Sequence, residues 1–431
     1  MLLIFTHKIT NRLTYTAKQL FEKILGMEIT FTTKVEDFIK HSGPKMTYSK
    51  QPLQNEFFVR SNDLLFEQGI NDLEIKVMDW DGIPCFFSAG EKSALPFDIF
   101  SASFFLLSRY EEYLPHVKDS VGRFPVKESM AYQHKFLELP VVDLWAFKML
   151  DALKERFPEI EHREKSYNFT SIINVTTSHA FAMRGLSRTL GGFLLDFWGL
   201  KFRSIADRFS VLLGLKKDPF DNFYNLVDIH KKFPIKTMFF FQFAKHSAHD
   251  KNISTNNNQF RYLIKSVADY SEVSLSTSFL SSTDKTVLKE EKKQLASLIN
   301  RPVNYSRLRY NRVNVPATYR NLVETEFTDD FSMGYTHEIG FRAGTCTPFH
   351  FYDINMEVRQ PLKVHPFAMH DYALLNFNNK EEVFEKMDKV YRVVKQVKGD
   401  FVVVFSNELL GGKHHLDWME LYQSFLKRYY V

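Results

Sequence analysis

From about residue 166 to the end of the sequence, short runs rich in β-branched and aromatic residues alternate with longer segments of helical periodicity. The candidate strands are residues 171–175, 237–243, 273–275, 304–306, 367–369 and 401–405. The clearest helical segments are residues 259–269, 286–299, 380–397 and 418–429. This alternation favours parallel strands joined by crossover helices. Periodicity alone leaves open whether the strands wind into a barrel or form an open sheet.

The first 165 residues have a different pattern, which predicts a smaller mixed α/β domain. Residues 2–5 and 73–78 are the candidate strands, and residues 99–113 and 141–157 are the candidate helices. Apolar side chains recur at helical spacing in both helical segments, and Pro158 follows the second. We therefore expect an N-terminal domain over residues 1–165 and a second domain over residues 166–431.

Composition limits the class of partner. The chain has 43 Phe and only 17 Gly, which indicates a packed interior, and its formal net charge of +5 does not favour nucleic acid. No run of about 20 apolar residues predicts a transmembrane segment, and the apolar run at residues 1–5 is too short for a signal peptide. We expect a cytoplasmic protein. The sequence has two cysteines, Cys85 and Cys346, so at most one disulfide can form between them. Their spacing is not that of a zinc site.

Several sequence blocks occur in a specific order along nearly the whole chain. Leu-Pro-Phe-Asp at 95–98 and Leu-Ser-Arg-Tyr-Glu-Glu-Tyr at 107–113 come first, and Gly-Phe-Arg-Ala-Gly-Thr-Cys-Thr-Pro-Phe at 340–349 comes later. Together these blocks resemble a bacterial group within the polysaccharide deacetylase superfamily (carbohydrate esterase family 4-like) that has an extra N-terminal domain. The resemblance implies an α/β fold, with a distorted (β/α) barrel preceded by a smaller α/β domain.

The resemblance also implies where the chemistry takes place. Members of this superfamily remove acetyl groups from amino sugars, using a divalent metal such as zinc held by one aspartate and two histidines. Here the catalytic base position is Thr176, and the three metal-ligand positions are Ser178, Ser276 and Arg309. The histidine expected to act as acid is replaced by Ser406. His179, beside Ser178, is retained.

These replacements remove the donors that the reaction needs. A hydroxyl is a poor base near neutral pH and a weak ligand for a divalent cation. A guanidinium has no lone pair to donate, and it repels a cation by several kcal/mol at about 4 Å in a poorly screened pocket. We therefore expect no intact catalytic residue, no bound metal and no other cofactor.

Five side chains remain as candidate contacts for a carbohydrate or sugar-phosphate ligand: Arg342, His179, Tyr310, Arg309 and Asp371. The fork of Arg342 suits paired acceptors, such as hydroxyl, carboxylate or phosphate oxygens of a glycan. The alternative for Arg342 is a structural arginine that holds the following loop. Arg309 has the alternative of a surface or ion-paired arginine, with Asp371 or Asp330 as a partner.

We therefore predict a catalytically inactive, glycan-binding or regulatory protein of surface-polysaccharide biosynthesis, with a protein partner in that pathway. The alternative is an active hydrolase, either with ligands displaced to His179, His370 and Asp371 or with metal-free chemistry. The apolar segment around Trp198 is interpreted as a buried helix face. A surface that docks on a membrane or on a partner is the alternative for that segment.

Overall fold

The computed structural model describes residues 1–430 except 234 and 413. Its N-terminal part contains a four-stranded parallel sheet in the order β2-β1-β3-β4. A short antiparallel hairpin, β5-β6, follows. The strands are β1 (Leu2–Phe5), β2 (Ile29–Thr32), β3 (Lys45–Ser49), β4 (Phe57–Arg60), β5 (Met78–Trp80) and β6 (Ile83–Cys85). All four side chains of β1 are buried, as expected for a central strand of a parallel sheet.

Helices cover this first sheet and lead into the second. They are α1 (Asn11–Ala17), which continues as a π-helical segment, α2 (Val35–Lys40), α3 (Ile99–Leu107), α4 (Met130–Gln133) and α5 (Val141–Arg156). Helix α3 begins at Asp98, whose carboxylate accepts hydrogen bonds from the backbone N–H groups of Phe100 and Ser101 at 3.0 Å. Every side chain of α3 is buried, so this helix is the centre of the N-terminal core.

The second sheet has nine strands in the order β12-β13-β11-β10-β9-β8-β7-β15-β14. All neighbours are parallel except the antiparallel pair β12-β13. The strands are β7 (Asn168–Val175), β8 (Lys236–Gln242), β9 (Glu272–Ser276), β10 (Tyr305–Arg307), β11 (Asp329–Met333), β12 (Phe349–Asp353), β13 (Val358–Pro366), β14 (Met369–His370) and β15 (Asp400–Ser406).

A short link, residues 367–368, connects the two sides of this sheet. Strand β13 pairs with β11, whereas β14, only two residues further along the chain, pairs with β15. Within the link, Phe367 donates its N–H to the Met333 carbonyl at 3.1 Å, and Ala368 donates to the Val402 carbonyl at 2.9 Å. One continuous segment therefore bonds to both sides, and the sheet curls into a distorted barrel.

The remaining helices surround the barrel, and a small apolar cluster fills its interior. The helices are α6 (Leu186–Trp198), α7 (Phe202–Leu212), α8 (Phe223–Lys232), α9 (Asn258–Ala268), α10 (Lys285–Ile299), α11 (Ala317–Glu324), α12 (Lys380–Gln396), α13 (Asn407–Gly411) and α14 (Trp418–Tyr429). The interior cluster contains Ile172, Phe240, Phe331, Phe367 and Val404. Alternate residues of β7, β8 and β15 point outward and pack against the helices. The residues between them point into the barrel along the length of each strand.

Most of the predicted strands and helices are present, and the structure also differs from the prediction in several places. Residues 73–77 form no strand, and the short β5 begins only at Met78. The helix predicted over residues 99–113 ends at Leu107, because Arg109 adopts a left-handed backbone with φ of 56°. Strand β13 went unpredicted because its sequence is polar and contains Pro361.

The N-terminal part and the barrel share one apolar core, which runs from Leu2 to Tyr429. Cys85 and Cys346 are both buried and free. Among the described residues, no helix has the length and apolar character needed to cross a bilayer.

Candidate functional site

A cleft of about 340 Å³ lies where the barrel strands end. It is lined by Val121, Arg123, Asn174, Thr176, Arg307, Leu308, Arg309, Tyr310, Asn311, Thr336, His337, His370, Tyr372, Ser406 and Glu408. These residues come from the carboxyl ends of β7, β10, β11, β14 and β15 and from the N-terminal part. Because parallel strands present their carboxyl ends on the same face of a barrel, this is the face where such folds carry their functional residues. We call it the cleft below.

Arg307 forms the floor of the cleft. It is 1% exposed, its Nη1 donates to the Phe331 carbonyl, and its guanidinium lies 4.8 Å from the centre of the Phe367 ring. Burial lowers the pKa of Arg307 to about 10, although the carboxylates of Asp330 and Asp371 oppose this change. Arg307 therefore remains a cation at neutral pH, desolvated and fixed at the inner end of the cleft.

Arg309 lies nearer the mouth of the cleft and is held loosely. Its Nη2 donates to the His249 carbonyl at 3.3 Å, and its guanidinium packs 4.4 Å from the centre of the Tyr310 ring. The nearest carboxylate is that of Asp250, with an Nε–Oδ1 distance of 3.8 Å. Arg309 is thus ion-paired, but its partner is neither Asp371 nor Asp330. Because its side chain is 17% exposed, the planar fork retains access to solvent and to a ligand.

Backbone strain is concentrated beside this arginine. Tyr310 and Asn311 both adopt left-handed conformations, with φ of 58° and 52°. Non-glycine residues avoid this region, and such conformations persist where the surrounding structure enforces them, often at functional sites. Here the strained turn directs Arg309, Tyr310 and Asn311 to the lining of the cleft.

The N-terminal part supplies a third arginine. Arg123 forms an ion pair with Asp119 at 2.7 Å, and its Nη1 donates to the Tyr310 carbonyl at 2.9 Å and to the Thr336 hydroxyl at 3.2 Å. Arg123 therefore fixes the strained turn of the barrel to the N-terminal part. The cleft is a joint product of both parts of the chain.

One carboxyl group, that of Glu408, lines the cleft among the described residues. The Thr176 hydroxyl donates a hydrogen bond to Glu408 Oε1. Burial raises the pKa of Glu408 above its ordinary value, although the bond from Thr176 and the charge of Arg309 oppose the rise. The lining therefore contains three arginines and one carboxyl group, while the carboxylates that pair with Arg123 and Arg309, those of Asp119 and Asp250, lie outside it.

His370 and Asp371 form a pair at the end of β14. His370 Nδ1 lies 2.6 Å from Asp371 Oδ1, and the Ser406 hydroxyl donates to the same oxygen at 3.2 Å. Burial lowers the pKa of His370, although the charge of Asp371 opposes this, so the imidazole is neutral at neutral pH. His370 and Ser406 line the cleft, whereas Asp371 is fully buried behind them.

The residues at the three positions where the sequence resemblance implies metal ligands do not fit a divalent metal. The Ser178 hydroxyl lies 3.0 Å from His179 Nδ1, and Ser276, like Ser178, is 1% exposed and presents only a neutral hydroxyl. Arg309 occupies the third position with a fixed positive charge. No three His, Cys, Asp or Glu side chains are grouped as metal ligands within residues 1–430, omitting 234 and 413. The donor set therefore differs from what zinc coordination needs.

The predicted site residues divide into two groups. Thr176, Ser406, Arg309 and Tyr310 line the cleft, and Asp371 supports it from behind. A second group lies outside the lining: Ser178, Ser276, His179 and Arg342. His179 is 5% exposed, and its carbonyl accepts a hydrogen bond from Arg184 at 3.1 Å.

Arg342 is placed in the interior between the two parts of the chain. It is 1% exposed, and its Nε and Nη2 donate to the two oxygens of Glu112 at 2.8 and 2.7 Å. Its own carbonyl accepts a hydrogen bond from Arg109. The expectation of a ligand contact at Arg342 is therefore corrected: this arginine has a structural position, with a carboxylate as its main partner.

Sequence reasoning assigned no role to four cleft residues: Arg123, Arg307, His337 and Glu408. Arg123 directly follows Gly122 and Arg307 directly follows Ser306, and neither local sequence indicates that the side chain lies in the cleft. Glu408 directly follows Ser406-Asn407 at the end of the last barrel strand. An acidic residue directly after a barrel strand can be recognised in the sequence as a candidate functional residue.

Comparison with known proteins gives a limited picture. A family model described as a family of unknown function (DUF7033) matches residues 2–158. No curated protein matches the chain in sequence.

Solved structures that are similar to this chain include proteins described as polysaccharide deacetylases. The one from Mycobacterium smegmatis has a TM-score of 0.40 and 13% identity, over 62% of this chain and 86% of its own. The one from Pseudomonas aeruginosa PAO1 has a TM-score of 0.38 and 13% identity, over 60% and 83%. The allantoinase PuuE has a TM-score of 0.38 and 12% identity, over the same shares. At these scores, neither a substrate nor a reaction is transferred to this chain.

Proposed function

We propose that this chain is a polysaccharide deacetylase-like protein that binds an anionic carbohydrate, such as a sugar phosphate or an acidic glycan, without metal-dependent deacetylation. Its role is then that of a glycan-binding or regulatory protein in surface-polysaccharide biosynthesis. The polysaccharide pathway rests on the motif resemblance of the sequence blocks. The anionic ligand rests on the cleft itself.

One observation carries the proposal: three arginines line the cleft, and one of them, Arg309, occupies a position at which the resemblance calls for a metal ligand. Arg307 supplies a desolvated charge at the floor, and Arg309 and Arg123 supply guanidinium groups near the mouth. A guanidinium binds carboxylate or phosphate oxygens in pairs, and low local dielectric strengthens such contacts. The aromatic face of Tyr310 beside them suits packing against a sugar ring.

A direct binding experiment tests the anionic preference. We expect N-acetylglucosamine 1-phosphate to bind measurably in calorimetry and N-acetylglucosamine to bind at least about tenfold more weakly, since the phosphate supplies the charge-assisted contacts. Arg309→Gln should weaken binding of the phosphate form by about tenfold. Arg261→Gln, a partly buried arginine outside the cleft, is the matched control and should leave binding unchanged. Equal affinity for both sugars contradicts the proposal.

A restoration experiment tests the metal-ligand positions. The triple variant Ser178→Asp, Ser276→His and Arg309→His returns the donor types that zinc prefers. After loading and dialysis, we expect about one equivalent of zinc in the variant and none in the unmodified protein. The proposal is contradicted if the unmodified protein releases acetate from acetylated chito-oligosaccharides and a chelator abolishes this release. A triple variant that binds no zinc shows that these positions do not converge.

A second candidate function, a metal-free hydrolase, is favoured by the pair of His370 and Asp371. A neutral imidazole oriented by a carboxylate is the arrangement of a general base, and Glu408 with its raised pKa is suited to donate a proton. We expect this activity, if present, as acetate release that persists in EDTA and is lost in His370→Gln. His179→Gln removes a buried histidine outside the cleft and is the control that should retain activity.

A further inference from the structure

A helical hairpin protrudes from the barrel beside the cleft. It consists of α6 and α7 and leaves the barrel after β7, the strand that precedes Thr176 of the cleft. Asp218 fixes its base, because its carboxylate accepts hydrogen bonds from the backbone N–H groups of residues 180–182 at 2.8 to 2.9 Å. We call residues 186–217 the hairpin.

A largely buried ion pair links the two helices of the hairpin. Asp196 of α6 forms an ion pair with Arg208 of α7 at 2.7 Å, and their side chains are only 14% and 8% exposed. The Arg208 guanidinium also lies 5.3 Å from the centre of the Phe193 ring. Gly192 permits this approach, because a Cβ there would lie 2.5 Å from an Arg208 nitrogen. This ion pair is therefore largely shielded from solvent inside the hairpin.

The large apolar side chains of the hairpin point outward. Twelve of the 25 exposed large apolar side chains among the described residues lie between 186 and 215. Leu186 is 84% exposed, Trp198 is 81% exposed and Leu215 is 78% exposed, and α6 has no buried residue. The segment around Trp198 is thus an exposed face rather than the buried helix face that the sequence suggested. Contiguous exposed apolar surface of this kind marks a site that another apolar phase covers.

The charges of the hairpin indicate what covers it. Residues 186–217 contain six basic and two acidic residues. Both acids are paired within the hairpin, Asp196 with Arg208 and Asp207 with Lys216. The exposed Lys201 and Arg203 flank the turn between the helices. A second copy of the same face would bring like charges together, whereas an anionic surface neutralises them.

We propose that the hairpin docks in the plane of an anionic lipid bilayer, with its leucines and Trp198 in the interfacial layer and its basic residues on lipid phosphates. Helices of 13 and 11 residues are about 20 and 16 Å long, which is too short to span a bilayer and suits binding along its surface. The proposal is independent of the ligand proposed above.

Vesicle flotation with the full chain tests the docking. We expect the protein to float with vesicles of phosphatidylcholine containing about one third phosphatidylglycerol, and to remain unbound with phosphatidylcholine alone, because a surface potential attracts the basic residues. Binding should fall steeply as salt is raised from 0.05 to about 0.5 M, because the Debye length shortens.

Two variants separate the apolar contribution from the charge. We expect the triple variant Leu194→Ser, Leu195→Ser and Trp198→Ser to bind at least about tenfold more weakly, since its apolar contacts with lipid are lost. The control Tyr262→Ser, Tyr270→Ser and Leu280→Ser changes exposed side chains elsewhere and should bind normally. Lys201→Glu with Arg203→Glu should also lose at least about tenfold. Its control is Lys289→Glu with Lys293→Glu on α10.

The outcomes distinguish a lipid bilayer from a second copy of the chain as the surface that covers the hairpin. Unchanged melting temperatures of the variants show that loss of flotation is not loss of folding, as expected for exposed side chains. A protein that ignores anionic vesicles overturns the proposal. So does a dimer, seen by light scattering, that the triple serine variant disrupts while lipid binding is absent, because the face is then an interface between copies of the chain.

Discussion

At the scale of single residues, Glu112 holds the two parts of the chain together. Its carboxylate accepts from Arg109 Nε at 2.7 Å and from both nitrogens of the Arg342 fork, and all three side chains are about 2% exposed or less. Although burial raises it, these two arginines hold the pKa of Glu112 below its usual value. Arg109 also forms an ion pair with Glu111 at 2.7 Å. We call Glu112, Arg109 and Arg342 the triad.

We predict that Glu112→Gln lowers the free energy of unfolding by about 3–5 kcal/mol, because the buried guanidinium of Arg342 loses its counter-charge and that of Arg109 keeps only Glu111. Urea unfolding followed by tryptophan fluorescence measures this change. Glu138→Gln is the control: Glu138 pairs with Lys386 while 42% exposed, and its loss should cost about 1 kcal/mol or less. Equal effects of the two changes would contradict a central role for the triad.

A second residue, Glu291, predicts a pH dependence. Burial raises its pKa to about 7, although the hydrogen bond from the Ser278 N–H at 3.1 Å opposes the rise. The folded chain therefore binds a proton that the unfolded chain releases near pH 4.5. Stability from this group is present below the unfolded pKa and is lost as pH rises toward 7.

We therefore predict that Glu291→Gln raises the melting temperature at pH 8 relative to the unmodified protein and has little effect at pH 5. The expected gain at pH 8 is about 1–3 kcal/mol, since the amide avoids the buried charge. Thermal unfolding at both pH values checks it. Glu290→Gln on the exposed side of α10 is the control, and a gain at pH 5 equal to that at pH 8 would refute the mechanism.

Arg342 illustrates what the sequence can predict about a single residue. Its block in the sequence marks it as important and leaves a ligand contact and a structural role open. The partner that decides between them, Glu112, lies 230 positions earlier in the chain. Local pattern carries no information about a pairing at that separation.

At the scale of elements, β7 and the hairpin represent opposite cases. β7 is predicted well because its apolar run is buried on both faces, as in other central parallel strands. The hairpin has an equally apolar sequence, yet its leucines are exposed while the Asp196–Arg208 ion pair is largely buried. Amphipathic periodicity identifies an apolar face but not what that face contacts.

We predict that amide hydrogen exchange in α6 and α7 is fast in solution compared with β7, β8 and β15, because these helices bury few side chains. On anionic vesicles, protection of α6 and α7 should rise at least about tenfold, with no change in the barrel strands. Mass spectrometry of peptic fragments resolves both regions. Protection of the hairpin that is already as high as that of β7 in solution would contradict this prediction.

At the scale of the whole molecule, the boundary expected at residue 165 does not coincide with a break in the core. One apolar cluster includes residues from both sides, and Arg109 and Arg123 donate to backbone carbonyls of the barrel. The cleft itself needs Arg123 from the N-terminal part. The two parts are therefore expected to depend on each other for stability.

We predict a single cooperative unfolding transition for the full chain, with coincident changes in fluorescence and circular dichroism. Residues 166–431 expressed alone should be unfolded or aggregate, because they lose the Glu112 carboxylate and expose the shared apolar face. Two separate calorimetric transitions, or a well-folded fragment, would show that the parts are independent domains.

The sequence by itself determined the alternation of strands and helices and the types of side chain near the strand ends, among them Ser178, Ser276 and Arg309. Both follow from local properties, since periodicity and side-chain type belong to the residues themselves. The tertiary structure alone decided that Arg307 and Arg123 join Arg309 in the cleft, that Arg342 pairs with Glu112, and that the hairpin turns its leucines outward. These outcomes depend on which distant segments are brought into contact, because burial and charge pairing are properties of the packed molecule rather than of any stretch of chain.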